Sequence, residues 1–467
     1  MAFGLQIDLA GGTYYLTDGE AVGGYAPTLA PVAFRETLSL FGATPALQSV
    51  TLEMYRIPFA RLVAKGHRVS GVEGRLYDLD DDGTETLLFT GSLDEPTYGA
   101  LDEPSFASLR EGAYADANVM PKINEVVTAD NFASATGAFD SLREGNYYPL
   151  VFGEPGDALT PQRATPALIA VVGSTSYIYH RVIVSAGSVD ADNIYLYNDT
   201  TGASGSFNVF TTVDDSGNTY SFAQITPIGW ITAGDEIWAS WTESAGRSTI
   251  YGALTALLRR SSLSVDFPSL ERLKAASGWR IDAYVNTPLA PWDWIRQTLG
   301  PYLPLSPLSG AGGLSFVLHD FDGEPVETLI VDDYQVSRAS QVDVGSDSDV
   351  VNSYVVNYAP AYSGGYRSTR NLKDARSVRL YGERPKVINL DFTHDADTAY
   401  RVARFLLRRN ARPTIEVEYE IPVRYNAPLG ALVAVTDSDL GWVAKKGWVI
   451  SRAINRDRAR VRVWLFR

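Results

Sequence analysis

Residues 395–467 read DADTAYRVARFLLRRNARPTIEVEYEIPVRYNAPLGALVAVTDSDLGWVAKKGWVISRAINRDRARVRVWLFR. The first part predicts a helix over 396–410, because its apolar residues recur with the i, i+3, i+4, i+7, i+8 spacing of one helix face. Those residues are Ala399, Val402, Ala403, Leu406 and Leu407. Asp395 and Asp397 at its start, and Arg408 and Arg409 at its end, suit the helix dipole.

The end of this stretch alternates basic and apolar residues, which is typical of a strand with one basic, solvated face. The arginines of that pattern are Arg452, Arg456, Arg458, Arg460 and Arg462. Residues 397–467 hold 14 Lys+Arg and 7 Asp+Glu, so the net charge of −15 leaves −22 for residues 1–396. A chain with this much negative charge is not expected to bind nucleic acids. We therefore expect a subunit interface, with Arg456, Arg458, Arg460 and Arg462 as its candidate residues.

Most of the remaining sequence consists of short β-branched and aromatic runs between turn signals. The whole chain of 467 residues contains 40 Gly, 24 Pro, 26 Tyr and nine Trp. We predict a mainly β fold with a few helices, a β-rich α+β chain of several domains, since this length allows about two to four. The runs from 176 to 241 predict an antiparallel module with hairpin loops at 200–205 and 214–218.

Three further helices are predicted. One spans about 249–260, one begins at the N-cap Asp266 and ends at Gly278 as its C′ glycine, and one opens at Pro291 and stops at Gly300. Their inward residues include Ile250, Leu254, Leu257, Leu258, Trp292, Ile295 and Leu299. The aromatic group Trp292, Trp294 and Tyr302 is better explained as core than as a stacking platform.

These changes of pattern divide the chain into four regions. Residues 1–150 are β-rich, and 151–245 form a separate antiparallel β module. Residues 246–330 form a small α+β module in which GLSFVLHD and PVETLIVDD make a hairpin around the turn at 321–323. Residues 331–467 are strands around the helix at 396–410.

Several function classes are excluded by composition. Cysteine is absent, which excludes disulfides, thiolate metal sites, iron–sulfur clusters and thiol nucleophiles. The first residues show no basic segment before an apolar run, so no secretory signal is expected. The longest apolar run is 166–173, far short of the roughly 20 residues of a spanning helix, so no membrane segment is expected.

Metal and cofactor sites are not expected either. Asp78, Asp80, Asp82 and Gly83 reproduce the first half of a calcium loop, but Phe89 stands where the closing carboxylate is needed. A hairpin turn between RLYDL and TLLFTG explains these residues better. The four histidines, His67, His180, His319 and His394, lie more than 70 residues apart and lack the paired spacing of a zinc site.

No catalytic motif is present, since the G-x-S-x-G, Walker and G-x-G-x-x-G patterns are all missing. A pair of glycosidase carboxylates remains possible among 55 acids, but none is singled out by its context. A carbohydrate-binding or carbohydrate-active β protein is therefore the alternative to a structural role. Its candidate sugar contacts are Tyr177, Tyr179, Tyr195 and Tyr197, although alternating tyrosines are more often packed sheet positions.

The order of segments from 288 to the C-terminus resembles the tail-tip hub proteins of long-tailed phages and gene transfer agents, relatives of the contractile-tail baseplate hub. The stretch TPLAPWDWIRQTLGPYLPLSPLSGAGGLSFVLHDFDG is similar to their small helix-plus-hairpin module. VVNSYVVNYAPAY at 350–362 is similar to the strand that opens their second tube-type barrel, and 395–467 to that barrel's helix and strands. YYPLVFGEPGDALTP at 147–161 resembles part of their N-terminal half.

This resemblance implies two tube-type β-barrel domains, at 1–150 and 331–467, with peripheral modules between them. It implies a homotrimeric ring of pseudo-six-fold symmetry at the distal end of the tail tube. The distal tail protein would lie above it, and tip, fibre or tape-measure proteins below. The protein would be a virion component at the tail tip, assembled in the host cytoplasm, with no enzymatic activity. The iron–sulfur cysteines of some such hubs have no counterpart here.

The physical chemistry of the residues is compatible with such a ring. An acidic wall repels DNA during genome ejection instead of binding it, and edge strands that pair between neighbours cover their unpaired backbone groups. Molecular mass distinguishes the two hypotheses: a sugar module should be a monomer or dimer, whereas a hub should be a trimer of about 153 kDa, three times 50.9 kDa.

Overall fold

The computed structural model describes most of the chain with short gaps. The described residues are 2–9, 12–30, 32, 34–38, 49–55, 59–80, 82–97, 105–110, 116–134, 138–139, 141–153, 165–172, 180–189, 191–206, 208–225, 235–243, 247–276, 278–310, 313–332, 335–361, 364–425, 427–455 and 458–466. Within them the chain is mainly β with a few helices and several separate hydrophobic cores, which confirms the predicted fold class.

The N-terminal sheet has six strands in the order β2-β1-β5-β6-β7-β4. The elements of this region are β1 Ala2–Leu9, β2 Gly12–Thr17, β3 Phe34–Thr37, β4 Ser49–Met54, α1 Phe59–Ala64, β5 Glu73–Leu79, β6 Glu85–Leu93 and β7 Ser105–Arg110. β5 and β6 form the predicted hairpin, and Gly83 at its tip has a φ of 83° that suits glycine.

A short segment at 26–30 joins the two edges of this sheet. The Thr17 amide on β2 donates to the Ala26 carbonyl at 2.8 Å, and the Ala30 amide donates to the Glu53 carbonyl on β4 at 3.0 Å. The sheet therefore curves round into a barrel, which leaves no long free edge. Its core contains Phe3, Leu5, Ile7, Leu52, Leu76 and Leu109, all at most 1% exposed.

The next region is an eight-stranded sheet in the order β13-β12-β16-β10-β11-β15-β14, with β8 beside β10. The strands are β8 Ala138–Phe139, β9 Leu150–Phe152, β10 Thr165–Val172, β11 His180–Ala186, β12 Ala191–Asn198, β13 Ala203–Ser206, β14 Val209–Val213, β15 Thr219–Ile225 and β16 Ile237–Glu243. All its pairs are antiparallel, and both predicted hairpins form, with Gly202 and Gly217 at positive φ. The first loop is shorter than predicted, because residues 203–205 belong to β13. β9 is outside this sheet and pairs with β17.

The hairpin loop at 214–218 also anchors this sheet to the preceding segment. Asp214 is 8% exposed, and its Oδ2 accepts hydrogen bonds from the Tyr148 hydroxyl at 2.7 Å and from the Asn131 side-chain amide at 2.8 Å. Charge-assisted bonds of this kind are stronger than neutral ones, especially when buried. The sheet is thus held to Asn131 and Tyr148 by a polar network as well as by apolar packing.

The helices of the middle region largely agree with the prediction. They are α2 Ile250–Leu258, α3 Phe267–Leu270 and α4 Pro291–Trp294, with a 3₁₀ helix at Glu271–Ala276 and a π-helical turn at Ile295–Leu299. Trp292 and Trp294 are 3% and 8% exposed, so the core interpretation of this group is confirmed for both tryptophans. The prediction that Gly278 ends this helix as a C′ glycine is wrong, because its φ is not positive. The absence of a side chain matters here for another reason, since a Cβ would lie 2.8 Å from the guanidinium group of Arg401.

The hairpin predicted between GLSFVLHD and PVETLIVDD is also wrong. The strands here are β17 Ala283–Val285, β18 Leu305–Gly310, β19 Gly313–Leu318 and β20 Glu327–Ile330. β19 pairs with β18, the strand before it, while β20 pairs in parallel with β27, about a hundred residues later in the chain. The turn after Phe321 therefore separates two sheets and does not join two partners.

The C-terminal sheet has the order β20-β27-β28-β29-β26-β21, with β22 beside β26 and β3 beside β28. Its remaining strands are β21 Ser337–Arg338, β22 Asp343–Val344, β26 Ile415–Pro422, β27 Leu432–Asp437, β28 Trp442–Asn455 and β29 Arg458–Leu465. The chain passes from one edge strand, β20, to the other, β21, through only residues 331–336, so both edges lie near each other. Alternate residues of β26 and β29 are buried and form much of the core of this barrel.

The long helix belongs to a separate three-stranded sheet with the order β24-β23-β25. These elements are β23 Ser353–Pro360, β24 Tyr366–Lys373, α5 Ala375–Tyr381, β25 Pro385–Asn389 and α6 Ala396–Asn410. The predicted bounds of α6 are confirmed, and Asp395 caps it by accepting from the Thr398 amide at 2.7 Å. Its apolar face shares a core with Tyr354 and Phe392 of this sheet region, not with the interior of the C-terminal barrel.

Leu406 tests the packing of α6. Its side chain is 4% exposed, so Leu406→Ala should lower the free energy of unfolding by about 2–5 kcal/mol. Leu380 on α5 is 65% exposed, and Leu380→Ala is the matched control, with an expected change within about 0.5 kcal/mol. Urea unfolding of both variants measures the difference, and equal effects would contradict the placement of Leu406.

Candidate functional site

The two barrels are joined by strand β3, which leaves the N-terminal region and extends the C-terminal sheet. β3 pairs antiparallel with the second half of β28, in the register Phe34↔Ile454 to Thr37↔Ser451. The Leu38 amide continues this ladder by donating to the Ile450 carbonyl at 2.8 Å. The first half of β28 pairs with β27 on the same side. One 14-residue strand therefore pairs on the same side with β27 and with the strand that comes from the N-terminal region.

Side chains on either side of this joint strengthen it. Ile454 is 6% exposed and packs into the core of the N-terminal barrel although it belongs to β28. Glu36 lies opposite Arg452 in the register. Burial raises the pKa of Glu36, and the charge of Arg452 offsets part of that increase. The joint thus consists of a strand from the N-terminal region added to the C-terminal sheet, with an apolar contact and a charge pair across it.

The arginine face predicted on the last strand exists, but its charges are paired with acids. Arg458 contacts Glu420 at 2.6 Å, and Arg462 contacts Glu416 at 3.2 Å, both on the neighbouring strand β26. Arg460 lies 3.7 Å from Glu420 and is 62% exposed. Arg456 lies outside the described residues. The face is therefore a solvated cross-strand ion-pair array, and its role as a subunit interface stays a prediction.

A hollow with a concentration of positive charge lies at the C-terminal end of α6. It has a volume of about 290 Å³ and is walled on one side by Trp464, Leu465 and Phe466 at the end of β29. Its cationic side chains are Lys373, Arg404, Arg408, Arg409 and Arg412. We refer to it as the basic hollow. Sequence analysis used two of these arginines only as helix-terminal charges, and the run RRNAR at 408–412 is the signal that could have indicated it.

Carboxylates neutralise part of this charge. Asp322 accepts two parallel hydrogen bonds from Arg408, at 2.7 and 2.8 Å, and lies 3.5 Å from Arg404. These arginines, Arg408 first, lower the pKa of Asp322. Lys373 lies 3.6 Å from Glu383. Arg412, by contrast, makes no ion pair with any residue that the structure describes.

His319 lies on the other side of α6, in a second cavity of about 250 Å³ that shares Arg404 and Arg408 with the basic hollow. Its Nε2 is 2.8 Å from the Ser306 hydroxyl oxygen, and its ring meets Trp448 edge-on at 4.7 Å. Burial, with a smaller contribution from the charge of Arg409, lowers the pKa of His319 to about 3. The imidazole is therefore neutral at physiological pH.

Two of the four tyrosines proposed as sugar contacts lie within the described residues. Tyr195 and Tyr197 occupy the same face of β12, with Tyr195 41% exposed and Tyr197 half-buried. Trp238 on β16 stands opposite Tyr197 and is also half-buried. The three aromatic side chains form a row that sequence analysis described only in part. Tyr177 and Tyr179 lie outside the described residues.

The aspartate turn between β5 and β6 is an exposed hairpin tip. Asp80 and Asp82 are exposed, and the Asp82 side chain accepts a hydrogen bond from the Thr84 amide at 2.9 Å. Across the described part of the chain, no group of three or more His, Cys, Asp or Glu side chains could hold a metal ion. None of the helices described there has the length and apolar character needed to cross a bilayer.

Comparison with solved structures gives matches over nearly the whole chain. A tail protein from Neisseria meningitidis MC58 matches 100% of this chain and 96% of its own, with 11% identity and a TM-score of 0.41. A prophage tail protein from Listeria monocytogenes EGD-e matches 99% and 94%, with 9% identity and a TM-score of 0.42. The chain is similar in fold to phage tail proteins. The resemblance noted in the sequence concerns the same class of protein.

A protein of a native gene transfer agent particle is also similar. It matches 71% of this chain and 88% of its own, with 10% identity and a TM-score of 0.39. No protein-family model and no curated protein matches the sequence. At these identities and TM-scores the similarity carries no argument about function, which has to be argued from the residues of this chain.

The buried histidine predicts a pH dependence. Between pH 6.5 and about 3 the unfolded chain binds a proton at His319 that the folded chain does not, so the free energy of unfolding falls as pH decreases through this range. At pH 5 the contribution is about 2 kcal/mol. Relative to the wild type, His319→Gln should therefore be more stable at pH 5 than at pH 7.5.

Urea unfolding at both pH values measures this change, and His67→Gln, at an exposed position, controls for the loss of a histidine. A difference between His319→Gln and the wild type that is the same at both pH values would contradict the prediction.

Proposed function

We propose that this protein is a structural hub of a phage tail tip, in which three copies form a ring of pseudo-six-fold symmetry. The observation that supports this best is the joint between β28 and β3, in which a strand from the N-terminal region extends the C-terminal sheet and links the two barrels of one chain. Three such chains supply six barrels, and a closed ring of them would continue a tail tube. In this role the protein catalyses no reaction.

The surroundings of the ring follow from the same proposal. The distal tail protein would bind one face, and tip, fibre or tape-measure proteins would bind the other. The protein would assemble in the host cytoplasm and remain at the tail tip of the virion. A net charge of −15 is suited to a passage for DNA, because a polyanion is repelled and not retained during genome ejection.

The domain organisation is part of the proposal. Residues 1–150 and 331–467, the latter together with strand β20 from the end of the preceding region, would supply the two tube-type barrels, while 151–245 and the rest of 246–330 would lie outside the tube as peripheral modules. The arginines at 456, 458, 460 and 462 would then face a neighbouring subunit. Since those at 458, 460 and 462 already contact acids of their own chain, their contribution would be to orientation more than to affinity.

The mass of the purified chain tests the ring. We expect a trimer of about 153 kDa in sedimentation or mass photometry, three times the 50.9 kDa of the chain, because an obligate ring buries large interfaces. In purified particles, an antibody to this chain should label the tail tip. A monomer at every concentration, or label elsewhere on the particle, would contradict the proposal.

A second candidate function is carbohydrate binding by the 151–245 module. The observation that favours it is the row formed by Tyr195, Tyr197 and Trp238, because aromatic faces with polar tips suit ligands that are both apolar and hydroxylated. Such binding is compatible with a hub that carries the module on its outside. No carboxylate pair is assigned to sugar hydrolysis.

A titration with host cell-wall oligosaccharides tests this candidate. Tyr197→Ala should weaken binding at least ten-fold, since it removes the centre of the row. Phe210→Ala is the matched control, because Phe210 is an exposed aromatic side chain on another strand, β14, and should leave binding unchanged. Absence of binding by the wild type at millimolar saccharide would exclude this role.

A further inference from the structure

The second cavity, of about 250 Å³, contains one arginine that has no ionic partner among the described residues. Arg401, Arg404 and Arg408 line it from one face of α6, since they follow one another at i, i+3 and i+7. Asp322 accepts two hydrogen bonds from Arg408 and lies 3.5 Å from Arg404. The side chain of Arg401 makes no hydrogen bond or ion pair within the part of the chain that the structure describes. Its guanidinium group can therefore bind an anion that enters the cavity.

A glycine makes room for this guanidinium group. A Cβ at Gly278 would lie 2.8 Å from the Cζ atom of Arg401, which is too close for two carbon atoms that are not bonded. The φ of Gly278 is not positive, so the backbone there does not itself require glycine. The next residue, Trp279, is half-buried and lines the cavity. The position of Arg401 beside Trp279 thus depends on the absence of a side chain at 278.

Much of the remaining lining of the second cavity is apolar. Phe405 and Phe321 are 5% and 7% exposed, and their ring centroids are 5.9 Å apart. Trp279 meets Phe405 edge-on at 6.4 Å. Pro304 and Leu318 also line the cavity. Aromatic rings attract other aromatic and apolar groups through offset and edge-to-face contacts, so these walls suit an apolar side chain.

The other polar groups of the lining are already engaged within the chain. Nε2 of His319 is 2.8 Å from the Ser306 hydroxyl oxygen, and Asp320 accepts from the Asp322 amide at 2.9 Å. A sugar ring needs several hydrogen-bonding groups, because each hydroxyl that leaves water has to find a new partner. Arg401 and the apolar walls suit a different ligand, one with a single carboxylate beside a single apolar group.

The size of the second cavity limits this ligand to about one amino-acid residue. Its volume of about 250 Å³ is below the roughly 300–1,000 Å³ of pockets for drug-sized ligands. The last residue of a polypeptide has its carboxylate and its side chain on the same Cα, so both groups fit within a small space. An aspartate or glutamate inside a chain has the carboxylate but no apolar group beside it.

We propose that the second cavity binds the C-terminal residue of a partner polypeptide, one that ends in an aromatic or large apolar side chain. The terminal carboxylate accepts two parallel hydrogen bonds from Arg401, a geometry that guanidinium and carboxylate groups favour. The terminal side chain packs against Trp279, Phe321 and Phe405. The site lies within a single chain, so it does not depend on the proposed ring. In a tail hub it would attach the end of another polypeptide at a fixed point.

N-acetyl-L-phenylalanine is a probe for this site, and its amide is the matched uncharged ligand. Saturation-transfer difference NMR with the full chain should show that the acid binds, with a dissociation constant on the order of millimolar for so small a ligand. The amide should bind at least about five-fold more weakly, because it cannot form a charge-assisted pair with a guanidinium group. Raising the salt concentration from about 50 to 500 mM should weaken binding of the acid and leave that of the amide unchanged.

Substitutions in the cavity separate the two parts of the ligand. Arg401→Gln should weaken binding of the acid at least about five-fold and leave that of the amide unchanged. Gly278→Ala should also weaken binding of the acid, because the added methyl group displaces the guanidinium group, whereas Trp279→Leu should weaken binding of both ligands. Arg379→Gln on α5 and Phe210→Leu on β14 are the same types of change at exposed positions outside the cavity, and should alter neither. Thermal unfolding checks that every variant is folded.

Several results would overturn this inference. If the folded wild type does not bind the acid, the cavity is not such a site. If the acid and the amide bind equally, or if Arg401→Gln binds the acid as the wild type does, the role of Arg401 is wrong. If glucuronic acid, a carboxylated sugar, binds as tightly as N-acetyl-L-phenylalanine, the apolar walls do not select the ligand and the polypeptide assignment is wrong. The ring is tested separately, since a monomer that binds the acid contradicts only the ring and a trimer that does not contradicts only this site.

Discussion

The arrangement of this protein depends on the hydrogen-bond ladder along strand β28. One of its sides pairs with β29 from 447 to 455, while the other side pairs first with β27 and then with β3. A strand cannot bend freely between two such partners, so the ladder fixes the N-terminal barrel relative to the C-terminal one. Ile454 then places a side chain of one barrel in the core of the other, which gives the joint an apolar component that salt does not weaken.

Elements whose signal is local could be predicted from the sequence. The helix over 396–410 has the predicted bounds because its apolar stripe, acidic cap and basic end all lie within fifteen residues, and the hairpins at 200–205 and 214–218 have their glycines in place. The pairing of β20 with β27 could not be predicted, since parallel partners a hundred residues apart leave no mark in either segment. Because β19 is the strand before β20 in the sequence, we expect these two strands to pair, and this prediction is wrong.

The same distinction applies to the candidate surfaces. The arginines of β29 were predicted to share a face, and they do, but their neutralisation by Glu416 and Glu420 depends on which strand lies beside them. The basic hollow combines the end of β24, the end of α6 and the end of β29, three segments that meet only in the folded chain. The fold class follows from composition and periodicity, whereas both candidate surfaces follow from register and long-range contacts.

Where the barrel, the long helix and the β18–β19 hairpin meet, aromatic rings are stacked closely. Trp448 and Trp464 are 5.5 Å apart and nearly parallel, at 12°, and Phe321 and Phe466 each lie within 5 Å of Trp448. The contact between the C-terminal barrel and the helical region is therefore made by aromatic rings in specific mutual orientations, which fixes the angle between the two parts as well as their distance.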